Sequence, residues 1–202
     1  MKDTDIKYIE NLISEADFIG TSEAYSAVYD KLKVYDESYE NNSSLEYYKG
    51  LVCYNNPDVE DFRTKWALVH FEKAIDLNRE DVMPVIYKGY CLYDLKQYKN
   101  SLIAFKHVLS SNDNWIKLMD SNSYWRLVNI AEMIAVCNLK MTHITKFLEY
   151  YFPWKELYYL FSKGDDFYFP TTMVVEVSKF LKNKGKNMSN ENIASFRKIS
   201  LD

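Results

Sequence analysis

Apolar residues recur at helical spacing along most of the chain. Residues 82–95 carry two neighbouring apolar stripes, Val85, Gly89, Leu92 and Ile86, Tyr90, Tyr93. Spacings of three and four residues are typical of an α-helix, and two adjacent stripes make it apolar over a wide arc. One stripe must then pack against a partner helix while the other faces a second surface. With only five glycines and four prolines to form turns, the pattern predicts an all-α protein.

One helical pattern occurs twice. The small–aromatic–small positions Ala67, Phe71 and Ala74 recur with the same spacing as Ser101, Phe105 and Val108. Gly50 precedes Ala67 as Gly89 precedes Ser101, and the stretch "NNPDVEDF" accounts for the longer first interval. The stretches "YYKGLVCYN" and "IYKGYCLYD" around these glycines also match. A period of about 34 residues predicts stacked helix–turn–helix repeats.

On these positions the chain resembles the tetratricopeptide repeat (TPR) family over residues 44–112. The matching residues are Gly50, Ala67, Phe71, Ala74 in one repeat and Gly89, Leu92, Tyr98, Ser101, Phe105, Val108 in the next. Arg79 stands where the family usually has a proline, and Glu46 and Val85 stand where it has a bulky aromatic residue. The resemblance implies an all-α, TPR-like helical-hairpin solenoid in which the first helix of each hairpin lines the concave face.

The flanking regions, 1–43 and 113–202, predict degenerate or capping helices. A hairpin broken at Gly20–Thr21 is expected upstream, with Thr21 or Ser22 as the cap. Downstream, the expected elements are a third hairpin from "SYWRLVNIAEMIAVCNLK" and "MTHITKFLEYYF", a short helix starting at Pro153, a loop at 164–170, and helices at 171–184 and 189–200. No long linker interrupts these segments, so we expect one domain, 1–202, of roughly ten to twelve helices.

The distribution of acidic and basic side chains indicates which kind of molecule the chain binds. The net charge is −4, but the chain from Lys179 onward holds six basic and two acidic side chains, which leaves 19 basic and 27 acidic side chains before it. Such an acidic body argues against nucleic-acid binding, and it suits a basic protein partner. The same charge also serves ordinary solubility.

The cysteines and the lengths of the apolar segments indicate the cellular compartment of the protein. Cys53, Cys91 and Cys137 are scattered without metal-binding spacing, which is typical of reduced thiols. The start of the chain contains acidic residues and no long apolar run, so no signal peptide is expected, and no apolar stretch is long enough to predict a membrane span. We therefore expect a cytoplasmic protein that does not bind a membrane.

The expected binding surface is the set of stripes on the first helices. They are Tyr47, Leu51, Tyr54 in one repeat, Ile86, Tyr90, Tyr93 in the next, and Val128, Glu132, Ala135 with nearby Trp125 in the third hairpin. Asp94 and Glu132 would supply charge at the rim. Tyr and Trp dominate interface hot spots, which favours a groove for a protein segment. The alternative is that these rings fill the interior of a tight superhelix.

Within the TPR family, modules that grip the C-terminal carboxylate of heat-shock chaperones place Lys, Asn and Arg on this groove. Tyr47, Leu51, Ile86 and Tyr90 hold those places here. The resemblance therefore implies that the carboxylate clamp is absent.

Catalytic chemistry is not indicated. The glycines are too dispersed for a phosphate-binding loop, no GxSxG motif is present, and His70, His107 and His143 are isolated in the sequence. Asp165 and Asp166 are more typical of a solvated turn than of a metal or acid–base site. We expect no enzyme activity, no metal and no cofactor.

Three functions stay open. The first is an immunity or antitoxin protein that masks a basic bacterial toxin domain. The second is a secretion chaperone that holds an extended segment of a secreted protein, and the third is a general adaptor. Self-association through the aromatic face also remains open.

Overall fold

The computed structural model describes residues 1–58, 61–110, 124–161 and 171–184. Every regular element in these ranges is an α-helix, so the all-α prediction is confirmed there. The helices are α1 (Asp3–Ile19), α2 (Ser22–Lys33), α3 (Ser43–Asn55), α4 (Asp61–Leu77), α5 (Val82–Asp94), α6 (Tyr98–Leu109), α7 (Tyr124–Lys140), α8 (Ile144–Phe161) and α9 (Thr171–Lys184).

Two expectations about the helices need correction. The described ranges hold nine helices, fewer than ten to twelve, and the helix expected at 189–200 and the loop at 164–170 lie outside them. The short helix expected to start at Pro153 is wrong, because α8 continues through this proline. A proline inside a helix removes one backbone hydrogen bond. Tyr151 and Trp154 are buried on either side of it, so burial of a continuous apolar face offsets that loss.

The chain divides into two compact units, Met1–Val108 and Leu109–Asp202. The first unit contains α1–α6 and the second contains α7–α9. The single domain expected from the sequence stays a prediction.

The helix boundaries of the first unit follow from local chemistry. Gly20 ends α1 with φ of 69°, a left-handed conformation that glycine adopts without strain. Three helices begin after a residue whose side chain accepts a hydrogen bond from a backbone N–H of the first turn. These residues are Thr21 before α2, Asn42 before α3 and Asp81 before α5. The predicted break at Gly20–Thr21 is confirmed, with Thr21 as the cap.

The two repeat glycines allow close helix approach. A Cβ atom at Gly50 would lie 2.5 Å from the Phe71 ring, and one at Gly89 would lie 2.7 Å from the Phe105 ring. Both rings are fully buried. Ser101 Oγ donates a hydrogen bond to the Gly89 carbonyl at 2.8 Å. The repeated positions therefore mark the same packing in α3–α4 and in α5–α6.

The predicted third hairpin is present in the second unit as α7 and α8. Its turn is built like the turn between α5 and α6, since Thr142 and Lys96 both take positive φ, 62° and 61°. The next residue in each turn, His143 or Gln97, donates its backbone N–H to the carbonyl of Asn138 or Leu92 near the end of the preceding helix. Such a bond satisfies a carbonyl that the helix end leaves unpaired.

Candidate interaction face

The first helices of the first unit lie side by side, since α3 contacts both α1 and α5. This brings together three of the predicted partner-binding tyrosines, each half-buried. The rings of Tyr54 and Tyr90 stack with their centroids 6.5 Å apart. Tyr47 and Tyr54 each lie 5.9 Å from the ring of Tyr87, which joins the two helices.

Tyr87 was missed in the sequence analysis, although it is the centre of this cluster. Its ring contacts those of Tyr47, Tyr54, Tyr90 and the buried Phe71. Its position next to Ile86 and one helical turn before Tyr90 was the available signal. We call Tyr47, Tyr54, Tyr87, Tyr90 and Tyr93 the tyrosine face.

Hydroxyl–carboxylate hydrogen bonds connect the helices of this region. Tyr54 donates to Asp94 at 2.9 Å and joins α3 to α5, while Tyr48 donates to Glu10 at 2.8 Å and joins α3 to α1. Burial, with the carboxylate's hydrogen bond and charge, raises the pKa of each of these phenols. Burial also raises the pKa of Asp94, although the Tyr54 hydrogen bond acts in the opposite direction. Tyrosine therefore supplies helix-to-helix bonds as well as contact area.

Two predicted surface residues of the first unit are interior. Ile86 has 0% of its surface exposed and Leu51 has 9%, so their expected exposure is wrong. Leu51 belongs to the buried core of the first unit, and the glycines near these positions bring α3 close to Phe71 of α4 and α5 close to Phe105 of α6. Tyr93 is half-buried and its ring lies 5.4 Å from that of Tyr98, while Asp94 is exposed. Partner binding by the exposed and half-buried members stays a prediction.

Trp125 and Glu132 lie in the second unit. Trp125 is 38% exposed, and Arg126 sits over its ring at 4.5 Å. Glu132 is completely buried, which contradicts its expected place at a charged rim. Its carboxylate accepts the backbone N–H of Met173 at 2.7 Å, in the first turn of α9. Glu132 thus satisfies a helix N-terminus, where a negative charge is favoured.

A buried polar cluster occupies the place where the TPR family has a bulky aromatic residue. Glu46 and Lys49 on α3 are both buried, and Lys73 donates to Glu46 at 2.8 Å. His70 Nδ1 lies 2.7 Å from Glu46 Oε2, and His70 Nε2 lies 2.9 Å from the Tyr29 hydroxyl. His70 was expected to be isolated, but folding brings it to Glu46 across 24 residues of sequence.

This cluster keeps Glu46 ionised. Burial alone would raise the pKa of Glu46, but hydrogen bonds from His70 and Lys73 and the charge of Lys49 outweigh it and lower the pKa to about 2. A carboxylate can only accept hydrogen bonds, so the Nδ1 of His70 is the donor in its contact with Glu46. Burial raises the pKa of the Tyr29 phenol to about 12. A phenol with a raised pKa is a poor nucleophile at neutral pH, so the cluster is explained by packing.

The described residues offer little for metal or thiol chemistry. In the ranges that the structure covers, no group of three His, Cys, Asp or Glu side chains is arranged to hold a metal ion. Burial raises the pKa of the Cys53 thiol to about 11 and also raises the pKa of Cys91. Among the nine described helices, none has the length and apolar character needed to cross a membrane.

The geometry of α1–α6 is that of a TPR-like fold, with paired helices, a glycine–phenylalanine contact in each of two pairs, and first helices side by side. No protein-family model and no curated protein matches the sequence. Two solved structures are similar in fold. "MamA RS-1 ArsTM double mutant" has a TM-score of 0.60 at 16% identity, with 99% of this chain and 96% of that chain covered. "MamA 41-end from Desulfovibrio magneticus RS-1" has a TM-score of 0.57 at 17% identity, with 94% and 99% covered. At these identities the likeness is one of fold, and it supports a TPR-like helical architecture.

Proposed function

We propose that the chain is a TPR-like protein-interaction module that binds a protein partner along the tyrosine face. The observation that carries the proposal is the row of half-buried tyrosines on α3 and α5, with Asp94 exposed at its end. Tyrosine combines a large apolar ring with a polar tip and is enriched among interface hot spots. A partner that covers these tyrosines would bury the apolar rings and could hydrogen-bond to the hydroxyl groups, and such binding needs no catalytic residue.

The charge of the first helices favours a basic partner. Helix α1, which lies beside α3, contains five acidic side chains and one basic side chain, while α3 and α5 together contain two of each, with Asp94 exposed on α5. Complementary charge accelerates association and selects against acidic competitors. The specific form that we propose is an immunity or antitoxin protein that neutralises a basic toxin domain by covering it in the cytoplasm.

The test is a quantitative pull-down with the tagged full chain from its native cell, followed by affinity measurement with the purified partner. Replacing Tyr90 and Tyr93 together by alanine should weaken binding by about 100-fold or more if they are hot spots. The matched control is Trp66→Ala with Val69→Ala, which removes two exposed apolar side chains from α4 instead. Circular dichroism reports whether each variant stays folded.

Because Tyr90 also packs against Phe105, a second variant changes charge without removing a ring. Asp94→Asn removes an exposed charge but keeps an oxygen that can accept the Tyr54 hydrogen bond, and it should weaken binding of a basic partner by about tenfold. The wild type should also suppress the partner's toxic activity, and Asp94→Asn should suppress it less. If the partner binds the folded Tyr90 and Tyr93 double variant and the folded Asp94 variant as tightly as it binds the wild type, the tyrosine face is not the binding site. A partner held through an unfolded, secreted segment would contradict the immunity role in favour of a secretion chaperone.

A further inference from the structure

The other side of α5 forms a groove with α4 and α6, entirely within the first unit. Its volume is about 640 Å³. Its apolar lining comes from Leu68, Ile75, Val85, Leu92, Ile103 and Ala104. Val85 and Leu92 belong to the stripe that was expected to pack against a partner helix. The stripe does so, since Gly89 lies against the Phe105 ring of α6 and Val85 and Leu92 are buried at 8% and 5% exposure. Val85 and Leu92 also form the floor of the groove, and Ile103 on its wall is 58% exposed.

The dimensions of the groove suit a helix. Short turns join α4 to α5 and α5 to α6, so α4 and α6 run in the same direction as the two walls. The lining residues of α4 extend from Leu68 to Ile75, about 10 Å at about 1.5 Å per residue, and Arg79 follows in the turn after α4. That length matches about two helical turns. Two helical walls over an apolar floor accept the ridge of a third helix, the geometry by which grooves bind amphipathic helices.

The charge of the groove is opposite to that of the first helices. The only negative lining residue among those described, Glu72, is paired with Lys88 at 2.8 Å. Arg79 and His107 line the end of the groove where α4 and α6 terminate. Helix α6 carries Lys99 and Lys106 outside this lining and no acidic residue. A partner segment that follows this groove therefore meets the positive charge of Arg79 at that end.

We propose that this groove binds an amphipathic helix of another protein, aliphatic on one face and acidic at the end next to Arg79. Aliphatic side chains three and four residues apart fill the space between Ile75, Leu92 and Ile103, and the acidic residues face the Arg79 guanidinium. The groove and the tyrosine face use different sides of α5, and the part of this inference that concerns a basic partner rests on the proposed function. The module thus holds a basic partner and an acidic helix at the same time, which makes it a bridge between two proteins.

The test uses a yeast-displayed library of helical peptides of about 16 residues, enough to span the groove. Aliphatic residues are fixed at helical spacing, and Glu, Lys, Gln and Ser are randomised elsewhere. The labelled probe is the purified full chain. We expect enriched peptides to carry acidic residues at one end. A selected peptide should bind Ile103→Glu and Arg79→Glu at least about tenfold more weakly than wild type.

Matched controls separate the groove from general charge effects. Val69→Glu changes an equally exposed apolar residue of α4, at 61%, and Lys65→Glu reverses an exposed charge on the same helix, and neither residue lines the groove. Both controls should keep wild-type affinity, as should Tyr90→Ala with Tyr93→Ala if that variant is folded. The last result separates failure of this proposal from failure of the tyrosine face.

Three outcomes overturn the proposal. The first is a selection with no enriched peptide, or one whose enriched peptides are basic. The second is an acidic peptide that binds Ile103→Glu as tightly as wild type. The third is concentration-dependent dimerisation in sedimentation equilibrium that Ile103→Glu abolishes, because the occupant would then be a second copy of the chain.

Discussion

Helices α1–α3 and helices α4–α6 both pack around buried apolar residues, but they differ in the contacts that accompany this packing. In the first region, side-chain bonds to carboxylates add to the buried apolar core: Tyr48 donates to Glu10, Tyr39 donates to Asp5, and Lys49 pairs with Asp36. In the second region Phe105 packs against Gly89, and further apolar side chains line an open groove. Helix α5 belongs to both, with the tyrosine face on one side and the groove floor on the other.

The difference separates contacts that serve stability from surface left for a partner. Directional hydrogen bonds to carboxylates specify which helices pair, and the polar groups that form these bonds are not available to bind a partner. Exposed wall residues of the aliphatic groove, such as Ile103, contribute little to the stability of the isolated fold, because they remain in contact with water. Exposed apolar surface of this kind marks interaction sites. Four predictions test this division, in order of decreasing effect.

Phe71→Ala should have the largest effect, because its ring supports both regions. Phe71 is fully buried, stacks with Tyr87 and fills the space beside Gly50. Removing a buried phenylalanine ring costs about 3–5 kcal/mol of the free energy of unfolding. Urea denaturation measures the loss. Phe18→Ala is the matched control, since Phe18 is 92% exposed, and it should change stability by about 0.5 kcal/mol or less. Similar losses in the two variants would show that the core is not where the structure places it.

Acid should weaken the polar cluster around Glu46, which joins α3 to α4. The pKa of Glu46 is lowered from 4.5 to about 2 in the folded state, so its stabilisation is present above pH 4.5 and is lost as pH falls through about 2. At about 1.36 kcal/mol per pH unit, the loss is on the order of 3 kcal/mol. Unfolding free energies measured from pH 6 to pH 2 should fall less steeply in Glu46→Gln than in wild type. Parallel slopes for the two proteins would rule out Glu46 as the source.

Tyr48→Phe should have a smaller effect, below that of the acid titration. The change removes only the hydroxyl that donates to Glu10, and a hydrogen bond to a charged group contributes about 1.5–3 kcal/mol when well buried. Because this bond is only partly buried, we expect a loss near the lower end of that range in urea denaturation. Tyr8→Phe, at an exposed position of α1, is the control and should be nearly neutral. If both variants are neutral, the hydroxyl–carboxylate contacts do not hold α1 and α3 together.

Ile103→Ser should have the smallest effect on stability, within about 0.5 kcal/mol of wild type. Ile103 lines the groove but is 58% exposed, so little of its apolar surface is protected from water in the isolated chain. Thermal unfolding monitored by circular dichroism measures the change. A loss above about 2 kcal/mol, as large as that from truncating a buried isoleucine, would mean that the groove is part of the core. The distinction between the two regions would then fail.

The repeated elements were predictable because their signal is local. Gly50 and Phe71 recur as Gly89 and Phe105, and the structure pairs each glycine with its phenylalanine. The hairpin of α7 and α8 was also predicted from its periodicity. Pro153 was misjudged, since a proline predicts a boundary while the burial of Tyr151 and Trp154 that keeps α8 continuous depends on tertiary packing.

The candidate site was predicted only in part. The tyrosines of α3 and α5 were assigned to one face, and the structure brings Tyr47, Tyr54 and Tyr90 together. Glu132 was placed at a rim because a charged residue is usually exposed. It is buried because the N-terminus of α9, 41 residues away, needs an acceptor. The spacing of apolar residues along α7 cannot reveal a hydrogen-bond partner that lies so far away in the sequence.

The sequence by itself determined an all-helical chain, its hairpin period and the small residues at which helices approach, because backbone preferences and apolar periodicity act over a few turns. It also determined two equally apolar stripes on α5. Only the tertiary structure decided that Tyr90 and Tyr93 of one stripe stay half-buried on the tyrosine face, whereas the other stripe is buried at the floor of a groove. The physical reason is that exposure depends on where α3, α4 and α6 sit around α5, and contacts between side chains far apart in the sequence, such as Tyr54 with Asp94 and Gly50 with Phe71, set those positions.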